Sequence, residues 1–348
     1  VTRSGASAPV VVVGGSAGAL APLLDIVAGL PRDFGAAVLV VIHLPPDQPS
    51  VLPTLLGRAG ELPARHAQSG EQLQPGCIYV APPNQHLLLA DGRVRLSYGP
   101  RENRSRPSID VLFRSAAYTH GPLVAGVLLS GMLDDGTSGV WAVQHFGGTV
   151  IVQHPNEAEY PDMPLSALRQ VPVDDILNAR DIAPRLVAWA AVRPTGERQA
   201  QELREEVHVS DEERRRLAAE LGIASEDNAF DWGILNAGPL SPFTCPECHG
   251  VMGQIKEGNT TRYRCHTGHA YTAGTLLSEV RHSVEATLWS AVRALDENVM
   301  LLEHLGKHLE EAGHGEQAEA ILTEAREVRE RARQMRPLTM RVSAEVQG

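Results

Sequence analysis

Three segments of the chain, Val10–Val13, Ala36–Ile42 and Leu123–Leu129, are apolar on successive positions and do not alternate, and Thr149–Gln153, apolar over its three central residues, reads as one more strand. A strand with two apolar faces needs cover on both, which a parallel sheet between two helical layers provides. The intervening stretches have the helical period: Leu20–Leu30, Ser108–Tyr118, Val140–Phe146, Pro164–Val171 and Ile182–Val192. A further strand is expected at Cys77–Val80 and a short helix near Leu55. A hairpin is expected at His86–Ser97, turning on Asp91-Gly92. Residues 1–193 therefore read as an α/β domain: a doubly wound, mostly parallel sheet with helices on both faces and a β-hairpin. Right-handed crossovers bring the strand C-termini to one rim, where such sheets bind ligands near a switch in strand order.

Composition narrows the function. The 348 residues carry a formal net charge of −11, so a general nucleic-acid binder, which needs a basic face, is disfavoured. No apolar run approaches the roughly 18–20 residues that span a bilayer, and the first residues lack the apolar segment of a signal peptide. The expected location is cytoplasmic, without membrane insertion. Of the four cysteines, Cys77 stands alone and Cys245, Cys248 and Cys265 cluster, which is metal-site spacing and not a disulfide framework.

After Arg193 the pattern changes. Residues 194–220 are rich in Glu and Arg, and 194–239 read as a charged linker with some helix; 240–275 form a compact cysteine module; 276–348 are helical. Val284, Leu288, Val292, Leu295, Val299, Leu302, Leu305 and Leu309 recur at steps of three and four up to the break at Ala312-Gly313-His314-Gly315. A second helix carries Ala318, Ile321, Leu322, Ala325 and Val328. The tail is a helical hairpin or a coiled coil, and a homodimer through it is one expectation.

Chemistry concentrates on the rim. Gly14-Gly15-Ser16-Ala17-Gly18 joins the first strand to its helix and has the G-x-S-x-G form of a nucleophile elbow. A glycine-rich phosphate loop is the competing reading, but G-x-G-x-x-G is not matched, because residue 19 is Ala. His43 follows the second strand, and Asp134-Asp135-Gly136 follows the Leu123–Leu129 strand. A serine is a weak nucleophile until a histidine takes its proton and a carboxylate fixes that histidine's tautomer. The chain order Ser, His, Asp differs from the Ser, Asp, His of α/β-hydrolases.

These residues lie within a longer series of motifs: Val13-Gly-Gly-Ser16-Ala-Gly-Ala, Val41-Ile-His43-Leu-Pro, Ile78-Tyr-Val-Ala-Pro-Pro-Asn-Gln-His86, Arg106-Pro-Ser-Ile-Asp-Val-Leu-Phe-Arg114-Ser and Leu129-Ser-Gly-Met132-Leu-Asp-Asp135-Gly. Over about residues 9–192 the chain resembles the catalytic domain of CheB-type chemotaxis protein-glutamate methylesterases. The resemblance implies Ser16 as nucleophile, His43 as base, Asp135 as acid and the Met132 backbone N–H as oxyanion donor. It implies hydrolysis of glutamyl γ-methyl esters on methyl-accepting chemotaxis receptors, with glutamine deamidation as a second activity and no cofactor for the hydrolysis. Arg106 and Arg114 would then shape the cleft, or serve as a helix-start salt bridge and a surface charge. Many members carry a receiver domain before this domain; here that control is expected to be absent or to lie on a separate response regulator. Residue 17 is Ala where some members have Thr. The alternatives are a same-fold esterase or amidase with another substrate, and a signalling or docking protein that works through its C-terminal extension.

In the module at 240–275, Cys245-Pro-Glu-Cys248 precedes Cys265-His266-Thr-Gly-His269. Cys245, Cys248, Cys265 and His269 suit tetrahedral Zn²⁺ in a zinc-ribbon-like module with a hairpin about Gly258-Asn259, with His266 and His249 as rival ligands. So short a module would draw much of its folding free energy, on the order of 10 kcal/mol, from the metal. A reduced, metal-free Cys-x-x-Cys is the alternative.

Overall fold

The structure, a computed structural model, describes residues 8–45, 48–193, 197–225 and 238–347. It divides into two compact units, Val1–Thr275 and Leu276–Gly348.

The first unit is built on seven strands: β1 (Val10–Gly15), β2 (Ala37–Ile42), β3 (Ala64–His66), β4 (Ile78–Val80), β7 (Val124–Leu128), β8 (Thr149–Gln153) and β9 (Asp175–Leu177). All pair in parallel, in the order β3-β4-β2-β1-β7-β8-β9. The hairpin β5 (His86–Ala90) and β6 (Arg93–Ser97) turns on Asp91 and Gly92, both at positive φ, as the dipeptide requires. Alternate residues of β1 supply two cores. Val10 and Val12 join Leu112, Phe113 and Val140 of α3 (Ile109–His120) and α4 (Thr137–His145). Val11 and Val13 join Leu23, Ile26 and Leu186 of α1 (Leu20–Ala28) and α6 (Ala179–Ala191). Each buried valine contributes roughly 1.5–3 kcal/mol, which is why both faces of the strand are apolar. Helices α2 (Leu52–Ala59) and α5 (Asp162–Gln170) complete the layers. The chain leaves β1 toward β2 on one side and returns to β7 on the other, so the rim beyond β1 is the switch point.

The charged stretch expected to be a linker carries two helices, α7 (Glu197–Glu205) and α8 (Asp211–Ala224). Ser210 and Glu213 form a capping box that starts α8. Leu217, Glu220, Ile223 and Ala224 of this helix are buried, so it is part of the folded body and not a spacer. Next come β10 (Leu240–Thr244), β11 (Val251–Glu257), β12 (Thr260–Cys265) and β13 (Ala270–Thr272), a four-stranded antiparallel sheet in sequence order. Gly258, at the β11–β12 turn, lies against the Trp141 indole of α4.

A buried knot of charge joins these parts. Arg262 Nη1 donates to Glu220 at 2.9 Å and Glu257 at 3.1 Å, and its Nη2 donates to Glu102 at 3.1 Å. Arg264 Nη2 donates to Glu102 and Glu220, each at 2.5 Å. Arg114 of α3 also pairs with Glu102. Arg114 is thus neither a cleft residue nor a surface charge: it is 1% exposed.

The second unit is a pair of antiparallel helices, α9 (Ala273–Glu311, which begins in the first unit) and α10 (Gly315–Gln347), joined where Gly313 takes φ +80°. Asp296 pairs with Arg336 at 2.6 Å, Glu303 pairs with Arg329, and Gly306 lies against Leu322. Val292, Val299, Ala318, Ala325, Val328 and Ala332 are buried. Among the described residues no helix is long and apolar enough to cross a membrane.

Candidate active site

Ser16 is the first residue beyond β1, on the turn before α1, and its backbone N–H donates to Ser130 O at 2.9 Å. Gly18 closes the turn at φ +73°, where any side chain would also strike Ser130 Oγ. His43 is the first residue beyond β2, and its N–H donates to Gly15 O at 3.1 Å. Gly15 is the register partner of Ile42, so Ser16 and His43 are the next residues out on adjacent strands.

His43 Nε2 lies 2.8 Å from Asp135 Oδ2. That leaves Nδ1 for a hydroxyl; Ser105 Oγ lies 3.5 Å from it. Among the described residues no hydrogen bond joins His43 to Ser16 Oγ, a gap common in substrate-free hydrolases. Asp135 is buried and surrounded by donors: Ile109 N–H at 2.8 Å on Oδ2, and Ser108 Oγ at 2.9 Å and Asn103 Nδ2 at 3.0 Å on Oδ1. Burial pushes this carboxyl up, but the His43 hydrogen bond and charge, Asn103 and the Ile109 N–H together hold it below the usual carboxylate range. Asp134 faces elsewhere and accepts from Thr272 Oγ1 and Thr275 Oγ1, both at 2.6 Å. His86 supports the site from behind: its Nδ1 accepts the Ser108 N–H at 3.2 Å, and burial lowers its pKa to about 4, which keeps that nitrogen an acceptor.

Gly131 N–H donates to Tyr160 O and Gly131 O accepts from Met163 N–H, both at 3.0 Å, which fixes the loop beside Ser16. The next N–H, that of Met132, has no acceptor among the described residues. A cavity of about 190 Å³ opens beside His43 and is lined by Leu44, Arg101, Arg104, Ser105, Arg106 and Pro107. Arg106 is anchored there by Asn84 Oδ1 at 2.9 Å and Tyr98 O at 2.7 Å, so it does shape the cleft.

In the antiparallel sheet, Cys245, Cys248, Cys265 and His269 bring their donor atoms within 4.8 Å of one another. Cys248 and Cys265 Sγ are 3.6 Å apart, and His269 Nδ1 is 3.7 Å from both Cys245 and Cys265 Sγ. Four ligands about 2.0–2.3 Å from one zinc ion leave edges of this size. The other ring nitrogen of His269 is 3.3 Å from Glu247 Oε2, the outer carboxylate that metal-bound histidines commonly have. The residues therefore fit a tetrahedral metal. His266 is turned instead against the Gly250 backbone.

The family model of the CheB methylesterases matches residues 11–186, half of the chain. The chain belongs to the CheB methylesterase family. As a member it is a carboxylic ester hydrolase. It is similar to a putative protein-glutamate methylesterase/protein-glutamine glutaminase of Leptospira interrogans, 36% identical over 174 residues that make up 50% of this chain and 90% of that protein. It is also similar to the enzyme so named in Thermotoga maritima, 34% identical over 54% of this chain and 56% of that one. The chain thus spans little more than half the length of the Thermotoga relative. The crystal structure of the Thermotoga CheB methylesterase catalytic domain superposes with a TM-score of 0.51 at 33% identity, covering 53% of this chain and 99% of that one. Ser16, His43, Met132 and Asp135 fall inside the CheB methylesterase match, and the cysteine module falls outside it.

Asn103 and Ser108 are contacts of Asp135 that sequence reasoning did not single out. Asn103 sits in Arg-Glu-Asn-Arg, which reads as a solvated charge cluster, and nothing local marks it. Gly131 gives a sharper test of CheB-type geometry. A Cβ there would lie 2.6 Å from Met163 Cε and 3.0 Å from Ser16 Cβ. Gly131→Ala is expected to keep the fold, by circular dichroism, and to lower kcat about 100-fold through displacement of the Ser16 side chain.

Proposed function

We propose that the chain hydrolyses glutamyl γ-methyl esters on methyl-accepting chemotaxis receptors, and deamidates receptor glutamines by the same route. The observation that carries this reading is the 2.8 Å contact of His43 Nε2 with the buried Asp135 carboxylate, on the rim residue next to the elbow serine. With Nε2–H donated to Asp135, His43 Nδ1 is the base. It takes the Ser16 proton as Oγ attacks the ester carbonyl, and Asp135 stabilises the imidazolium. The developing oxyanion accepts a hydrogen bond from the Met132 N–H. His43 returns the proton to the leaving methoxide, methanol departs, and a water activated by the same nitrogen releases the glutamate. An amide would leave as ammonia. The four-residue set in the cysteine module would hold Zn²⁺ in a structural role, since its ligands fill all four positions and leave none for substrate.

The test is methanol release from a methylated receptor cytoplasmic fragment, compared with a small aliphatic methyl ester. The receptor is expected to be the far better substrate. Hydrolysis of the small ester with none of the receptor would point to another substrate for the same machinery.

A further inference from the structure

We infer that the last strand of the cysteine module braces the active site, with Asn103 the positioning residue through which β13 holds Asp135 and metal binding at the cysteines the condition for that hold. The catalytic part of this inference rests on the esterase reading above.

The connection is short and fully bonded. Asn103 Nδ2 donates to Asp135 Oδ1 at 3.0 Å and to Asp110 Oδ2 at 2.9 Å, while its Oδ1 accepts the Thr272 N–H at 2.9 Å. Turning the amide over would set its oxygen against two carboxyl groups and its NH₂ against an N–H, so its orientation is fixed. The backbone is tied as well: Asn103 N–H donates to Ala270 O at 2.8 Å, and Ala270 N–H donates to Arg101 O at 3.3 Å. Ala270 and Thr272 belong to β13, and Ala270 directly follows the candidate ligand His269. Thr272 holds the neighbouring acid too, through its hydroxyl on Asp134. On the other side, Glu102 is gripped by Arg262 and Arg264 of β12, the strand that ends at Cys265. Residues 101–103 are therefore fastened between two strands whose facing ends carry two of the four ligands.

A metal drawing Cys265 and His269 together fixes where β12 ends and β13 starts. Without it, the turn at 266–268 has only a few hydrogen bonds to set its shape, and the register of β13 on 101–103 loosens. Asp135 would keep the Ile109, Ser108 and Asp110 donors but lose the Asn103 amide on Oδ1. Asn103 contacts no reacting atom, so its effect appears in how well Asp135 and His43 are aimed, not in substrate affinity.

The experiment uses the full chain in three forms: wild type, Cys248→Ser and Asn103→Ala. Cys248 lies in the turn at 245–250, and serine there keeps a polar side chain of similar size beside Cys265 and Thr267 while removing a metal-binding thiolate. Zinc is measured by elemental analysis, amide hydrogen exchange is followed at residues 101–105 and 270–272, and kcat and KM are measured for methanol release. The wild type is expected to hold about one zinc per chain. Cys248→Ser should lose it, exchange at least tenfold faster in both segments, and show kcat lowered about 10- to 100-fold with KM within about threefold. Asn103→Ala should keep its zinc and show the same kcat loss. A wild type without zinc would overturn the inference, as would a zinc-free Cys248→Ser with unchanged exchange and kcat, or an Asn103→Ala whose loss falls on KM. If the wild type releases no methanol, the esterase reading fails, and the exchange data still decide whether metal holds the loop.

Discussion

Ser16→Ala is expected to lower methanol release by about 10⁴-fold or more while leaving thermal stability unchanged. The size follows from the mechanism: without Oγ there is no acyl-enzyme, and what remains is attack by water next to an intact oxyanion site. The stability half follows from the structure. Ser16 is held by its backbone, which donates to Ser130 O and accepts from Ala19 N–H. Alanine keeps both bonds, and Oγ has no hydrogen-bond partner among the described residues. Steady-state assay and a thermal melt on the same preparation check both halves. Full activity in the variant would remove Ser16 as nucleophile and with it the proposed route.

The second large effect is on folding. Arg264→Met is expected to destabilise the first unit by about 3–5 kcal/mol, because it leaves Glu102 and Glu220 buried with a cation missing. That corresponds to a fall in melting temperature on the order of 10 °C. Arg198→Ala, which breaks an exposed pair whose arginine is 92% accessible, should change stability by less than about 0.5 kcal/mol. The same knot sets an acid limit. Burial raises the Glu220 carboxyl, but the charges of Arg264, Arg262 and Arg114 outweigh it and bring its pKa down to about 2. A carboxylate with a folded pKa below its unfolded one stabilises fully above the unfolded value, and this stabilisation is lost as pH falls toward the folded one. Denaturant melts should therefore lose stability between about pH 4.5 and pH 2. Glu220→Gln should flatten that slope. Equal slopes in both proteins would show that other groups control acid unfolding.

The sequence carried most of the sheet, because its central strands are short, largely unbroken apolar runs that alternate with helical periods. It hid the two edge strands. Ala64–His66 and Asp175–Leu177 are three residues each and half polar, too short for a period to show. The rim residues were legible since each directly follows a recognisable strand. The acid's surroundings were not. Asn103, Ser108 and Ile109 reach Asp135 from 26 to 32 positions away, Asn103 from a loop with no periodic signal and the other two from the start of α3, whose period does not say which carboxylate it meets. The misreading of 197–225 as linker, the part of 194–239 before Gly238 that lies within the described residues, has a related cause. Asp-Glu-Glu-Arg-Arg-Arg at 211–216 reads as a solvated face, and Glu220 looks like one more surface carboxylate. Only the arrival of Arg262 and Arg264, more than 40 positions later, makes it an interior residue.

Synthesis runs from one end, and the charge knot does not. Glu102 and Arg114 leave the ribosome early, yet Arg264, which completes the set, follows Glu102 by 162 positions. Until then Glu102 has only Arg114 of this set to pair with, and water must supply the rest of its partners. The nucleophile, base and acid are all translated before Arg264, so the support that β13 gives Asp135 through Asn103 can form only after the rest of the site has emerged.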